Sequence, residues 1–297
     1  MAGLRKEVWL NVILEQYDEE VTFLDNTTDL SAFVENDKIN LAEAGIDPDV
    51  LINNTTYPVA VNERTDTPYA LDLDYYDTEN TLLRNAEAIE LAYNKMQSIT
   101  RRHAQALKNK QAERSTFNFA PTSDAAFTPV LPTTGATNGA GEKLITEDDI
   151  ANLAAAFDMM NAPDGNRQLV LHTRHWNELV RTSQTLKEQR YRSKEGVMNR
   201  VAFELFGFQI HKYKNNPLYI KATGVKAAYG TTYVPATHGI TSVAFVGQEA
   251  YKAVGTIDMF DDLKNPRERG DIIGFQQRFL AGMMRNKYFG AIRSVDV

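Results

Sequence analysis

The chain has 297 residues, 43% of them hydrophobic, which is enough apolar material for one large core or two modest ones. A formal net charge of −7 excludes a free nucleic-acid binder working through an overall basic field, and the absence of cysteine removes disulfides, thiol nucleophiles and thiolate metal sites together. Glu7, Glu15, Asp18, Glu19 and Glu20 interrupt the N-terminal apolar residues, so no signal peptide or membrane span is expected and the chain reads as cytosolic when made.

Leu4, Val8, Trp9, Val12, Ile13 and Tyr17 fall mostly at helical spacing, and Phe23, Leu24, Leu30, Phe33 and Val34 follow among Asp, Asn and Thr. This apolar arm is either a core helix and loop of its own subunit or a segment that packs on a neighbour. Tyr57 to Asn62 and Tyr69 to Tyr76 both alternate, separated by the turn-rich Glu63 to Pro68, which predicts a β-hairpin. Asp72 and Asp74 share one face of the second strand. Paired carboxylates can serve acid/base chemistry or a divalent cation, but no His or further carboxylate falls at ligand spacing, and a solvated face is the plainer reading.

The stretch from Thr78 to Arg114 predicts one long helix of about 55 Å at ~1.5 Å per residue. Leu82, Ala86, Ile89, Tyr93, Met96, Ile99, His103 and Leu107 form a single stripe, with acidic residues towards the start and basic ones towards the end, as the helix dipole favours. Ser115 to Gly141 is rich in Pro, Gly and small polar residues and reads as an extended loop. Its end superficially resembles a phosphate-binding loop, but Glu142 precedes Lys143 and Leu144 stands where Ser or Thr is required.

Thr146 caps a second predicted helix, with Ile150, Leu153, Phe157 and Met160 as its buried side. Gln168 to His172 reads as a strand, and Thr173 as the cap of a helix carrying Trp176, Leu179 and Val180. His172 and His175 are spaced like a metal pair but lack a third ligand, so they read as structural. Lys187, Arg190, Arg192 and Lys194 with Tyr191 form a basic cluster that could touch phosphate or an acidic neighbour. Phe203 to Lys212 reads as a helix end, a turn at Gly207 and a strand. Val243 to Val246 is a further strand, a small helix follows from Gln248, and residues 270 to 293 close the chain in apolar strands. No catalytic or dinucleotide fingerprint occurs.

The order of these parts resembles the major capsid protein of tailed bacteriophages, the Hong Kong 97 type fold. The same resemblance is carried locally by Gly207-Phe208-Gln209-Ile210 with Asn215-Asn216-Pro217-Leu218, by Ala244 through Ala250, and by Gly270 to Gly274 with Phe279, Gly282, Arg285 and Ala291-Ile292.

The resemblance implies an α+β fold with an N-terminal arm over residues 1–35 and an E-loop hairpin over 36–77. A peripheral domain over 78–145 would hold the spine helix 78–114 and a linker, an axial domain would span 146–265, and residues 266–297 would return to the peripheral domain. It further implies a structural protein, not an enzyme. Copies would form pentamers and hexamers of an icosahedral virion shell around double-stranded DNA, assembled in the bacterial host cytoplasm with a separate scaffolding protein and a portal protein, without a membrane, metal or cofactor. The assembly contacts would include Trp9, Phe23, Phe33, Tyr57, Tyr69, Asp72, Asp74, Arg190 and Arg192. No Lys aligns with the cross-linking site of some members, so no covalent linkage between subunits is expected. The competing readings are an encapsulin-like compartment, a cytosolic α+β enzyme using Asp72/Asp74 or His172/His175, and a phage accessory such as a tail or scaffold protein.

Overall fold

A computed structural model describes residues 22–35, 38–43, 50, 52–55, 57–59, 67–139, 141–183 and 201–296. In chain order, β1 (Thr28–Asp29) and β2 (Val34–Glu35) flank a single turn at Ser31–Phe33, and β3 (Lys38–Glu43) and β4 (Thr67–Asp72) follow. β3 pairs antiparallel with both β2 and β4, giving a three-stranded sheet. The expected hairpin is thus corrected: the partner of Thr67–Asp72 is Lys38–Glu43, while Tyr57–Val59 is not in a strand and residues 60–62 lie outside the described residues.

Strand β5 (Asp74–Asp77) is separated from β4 by the buried Leu73 alone, yet it belongs to another sheet. The alternation expected across Tyr69 to Tyr76 changes phase there, leaving Tyr75 exposed and Tyr76 half-buried. Strand β6 (Thr81–Arg84) occupies what sequence spacing made the first turns of the long helix. Its backbone is taken laterally by Gly270–Ile273, and Thr78 exchanges hydrogen bonds with Phe275, so these groups cannot serve an i to i+4 ladder.

The long helix, α1, therefore runs over Asn85–Phe119, starting later and ending later than expected. It continues past Arg114 because Phe119 fills a fully buried site against Phe245, ring centroids 4.8 Å apart, while the Ser115 and Thr116 hydroxyls find acceptors in the Gln111 and Ala112 carbonyls. Part of the expected loop is ordered as β7 (Val130–Pro132).

Helix α2 (Glu147–Met159) opens on the anticipated Thr146, which forms a capping box with Asp149. Strand β8 (Arg167–His172) leads into α3 (Thr173–Thr182), whose cap is His172 and not Thr173: the His172 ring Nδ1 accepts from the Arg174 N–H at 3.0 Å. Residues 201–213 form a hairpin of β9 (Val201–Leu205) and β10 (Phe208–Tyr213), so no helix ends at Phe203. Its two-residue turn puts Phe206 at φ 48° and Gly207 at φ 77°, the left-handed pair that matches strand twist in tight hairpins.

After β11 (Tyr219–Ile220) and β12 (His238–Gly239), strand β13 (Thr241–Val246) runs into β14 (Ala250–Asn265), which replaces the small helix expected from Gln248. Here Tyr251 and Lys252 pair with β1 on one side and with β15 (Gly270–Met283) on the other, so the segment is held in a ladder on both edges. β16 (Phe289–Arg293) closes the chain.

Two principal sheets result: β1-β14-β15-β5, with β6 also on β15, and β7-β16-β13-β8-β10-β9. In the second, β13 is buried throughout and β8 for all but its last residue, the burial expected of strands covered on both faces. One face packs Ile150, Leu153 and Phe157 of α2 and Leu179 of α3 against Leu169, Phe208 and Val246. The other gathers Phe23, Leu24, Phe119, Val170, Phe245, Phe279 and Phe289, so it joins both sheets and the end of α1 in one core. Among the described residues, no helix is long and apolar enough to cross a membrane.

Candidate assembly surface

The three-stranded sheet packs on this body through β14. Its base is fixed by Leu30, Ile39, Leu73, Tyr251 and Ala253, which form their own buried cluster. Beyond that base the described residues turn apolar groups outwards: Val50 is 87% exposed, Ile52 85% and Tyr57 76%. Phe33 beside the base is 65% exposed. Large apolar groups clustered in solvent have the character of a contact surface.

A second exposed element is the outer half of β14. Beyond Lys252 its outer edge carries no partner strand among the described residues, and Phe260 and Leu263 stand exposed beside Asp258, Asp261 and Asp262. An open edge of this length is a ready template for pairing, which its acidic groups limit. The signal in the sequence was an aromatic residue inside an acidic run; Val50 and Ile52 gave none, because no periodicity surrounds them.

The residues expected at the assembly contacts divide accordingly. Phe33 and Tyr57 are exposed, and Tyr69 sits in β4 opposite Leu41. Trp9, Arg190 and Arg192 lie outside the described residues. Phe23 is corrected: it is 2% exposed, with its ring 5.6 Å from that of Tyr213 inside the shared core, so within this chain it is no free surface. Asp72 and Asp74 do not act as a pair. Asp72 meets Lys38 at 3.0 Å in an exposed bridge worth at most about 1 kcal/mol. Asp74 meets Arg114 of α1 at 3.7 Å, and that guanidinium also lies 4.8 Å from the Tyr229 ring centre.

His175 is fully buried, with Nδ1 at 2.7 Å from Ser242 Oγ and Nε2 at 2.8 Å from Ser294 Oγ. Both nitrogens are committed to hydroxyls, which leaves neither for a metal. Burial, aided by His172 and Arg174, pushes its pKa down to about 3, and burial pushes that of His172 to about 4. Among the described residues, no group of three or more His, Asp or Glu could hold a metal ion.

A separate ionic cluster ties the loop before α2 to the chain end. Glu142 is 3% exposed and meets Lys221 at 2.9 Å, Arg174, and the Tyr233 hydroxyl at 3.2 Å. Burial raises its pKa, but the Lys221 hydrogen bond and the Arg174 charge outweigh this and hold it below the ordinary carboxylate range.

No family model matches the chain, and no curated protein matches its sequence. Its architecture is that of phage capsid structures, the class to which the order of elements pointed. The capsid of Ralstonia phage GP4 is similar with a TM-score of 0.63 over 92% of this chain and 87% of that one, at 9% identity. A structure from Mycobacterium phage Che8 is similar at 0.62, over 92% and 91%, at 13% identity. A virus-like particle from Pyrococcus furiosus is similar at 0.56, over 95% and 96%, at 9% identity.

Proposed function

We propose that the chain is the major capsid protein of a tailed phage, a structural subunit that forms pentamers and hexamers of an icosahedral head around double-stranded DNA. The observation that carries this reading is the shared fold with phage capsid structures over nearly the full length of both chains. The exposed Val50, Ile52 and Tyr57, in the segment between β3 and β4, support it, because a lone subunit leaves these groups in water and a neighbour would cover them. In this reading residues 1–35 are the arm, 36–77 the E-loop, 78–145 and 266–297 the peripheral domain, and 146–265 the axial domain. Scaffolding and portal proteins are its assembly partners, the packaged DNA touches the inner face without sequence preference, and the shell forms in the host cytoplasm.

A second reading is an encapsulin-like compartment with protein cargo, with which the likeness to a virus-like particle from Pyrococcus furiosus is also compatible. Negative-stain microscopy of purified protein tests both. Rings or closed shells are expected, and a monodisperse monomer under assembly conditions overturns the two together. Nuclease-resistant DNA inside particles from infected cells supports the phage head; a single enclosed protein supports the compartment.

A further inference from the structure

The sequence contains a single Asn-Gly step, Asn138-Gly139. It lies in the turn that delivers Glu142 to the ionic cluster. The Asn138 N–H donates to the Glu142 carbonyl at 2.8 Å, and Asn138 Oδ1 accepts from the Glu142 N–H at 3.0 Å. The Asn138 carboxamide also donates to the Glu142 carboxylate. A neutral donor therefore faces a buried carboxylate whose cationic partners are already shared, since Lys221 also reaches Asp296 at 2.5 Å and Arg174 reaches Glu178 at 3.2 Å.

The next residue leaves the amide open to attack. A Cβ at Gly139 would meet nothing within 4 Å, so on that side neither a side chain nor a packed neighbour crowds the Asn138-Gly139 step. Gly141, at φ 84°, adds a further residue free of side-chain restraint to the same turn.

We infer that Asn138 is a deamidation site whose conversion to a carboxylate loosens the Glu142 cluster. Solvent hydroxide takes the Gly139 amide proton, and the nitrogen pair forms a bond to Asn138 Cγ. The Cγ–Nδ2 bond breaks and ammonia leaves with a proton from water. Water then opens the five-membered imide at either carbonyl, leaving aspartate or isoaspartate at position 138. The donor to Glu142 becomes a second negative charge at hydrogen-bond distance, which opposes Glu142 ionisation. The segment from Thr133 to Lys143 is tied to the chain end by the same turn, through Lys143 N–H to the Val295 carbonyl at 2.9 Å and Thr133 N–H to the Arg293 carbonyl at 3.0 Å. Its hold on that end should weaken.

The test is peptide mapping of the folded full-length protein during incubation in mildly alkaline buffer, beside Gly139→Ala, with the melting temperature of Asn138→Asp measured in parallel. Asn138 should gain the mass of an amide-to-acid conversion faster than any other asparagine, Gly139→Ala should slow this at least about tenfold, and Asn138→Asp should melt below the parent. Conversion at Asn138 no faster than elsewhere overturns the site. An Asn138→Asp variant melting with the parent overturns its coupling to Glu142. Both readouts are independent of shell formation.

Discussion

The ammonium of Lys226 lies 2.6 Å from the Ala120 carbonyl oxygen and 3.0 Å from that of Phe117, closing the C-terminal end of the 35-residue helix α1 with a positive charge. The last carbonyls of a helix lack intrahelical donors and carry its negative pole, so a cation there satisfies both demands. It also sits 4.4 Å from the Phe117 ring centre.

Lys226→Met should leave the Ala120 and Phe117 carbonyls without this donor and cost about 1–3 kcal/mol of stability at neutral pH, the range for a buried polar group left unsatisfied. Burial, with Arg114 nearby, pushes the Lys226 pKa down to about 8. A depressed folded pKa means that the unfolded chain binds the proton more tightly. Lys226 thus contributes more as pH rises from about 8 towards the ordinary lysine value, and that gain is lost as pH falls through 8. Denaturant titrations should show the gap between parent and Lys226→Met widening over that interval.

Folding and assembly should separate between Phe23 and the exposed groups. Phe23→Ala empties a core site and should cost ~3 kcal/mol or more at every protein concentration. Ile52→Ser and Tyr57→Ala should leave the subunit's melting unchanged within about 0.5 kcal/mol, yet reduce particle yield. For the same reason, deletion through residue 34 removes Phe23, Leu24 and Leu30 from buried positions and should unfold the chain, not merely block its assembly. Circular dichroism of the truncated protein checks this.

Acid should act through His175. Its folded pKa of about 3 lies below the unfolded value, so its contribution is complete above the unfolded pKa and is lost as pH falls towards 3. His175→Gln should be less stable than the parent at neutral pH, with a shallower decline across that acid range by fluorescence-monitored unfolding.

Gly247 fixes the strap formed by residues 22–29. A Cβ there would fall 2.1 Å from the Asn26 carbonyl oxygen and 2.3 Å from Asn166 Nδ2. Gly247→Ala should cost about 1–3 kcal/mol by overpacking, and limited proteolysis should cut near Asn26 sooner than in the parent.

The sequence by itself determined the elements whose signals are local: the cap at Thr146, the stripe of α2, the apolar β8 and β13, the turn at Gly207, and the existence of a long helix. Their order sufficed to name the fold. Tertiary structure alone decided the matters in which two segments compete for the same backbone groups. Thr81–Arg84 has helical spacing but is drawn into a ladder by Gly270–Ile273, and after the turn at Gln248 the chain is extended from Ala250 because β15 holds one edge and β1 holds Tyr251 and Lys252 on the other. β4 pairs with Lys38–Glu43, a partner distant in sequence that alternation alone could not single out. Phe23 was open to two readings for the same reason, its own subunit's core or an arm on a neighbour: its apolar character announces that it must be covered, whereas only packing against Tyr213 and the joined sheets shows that its own chain does the covering.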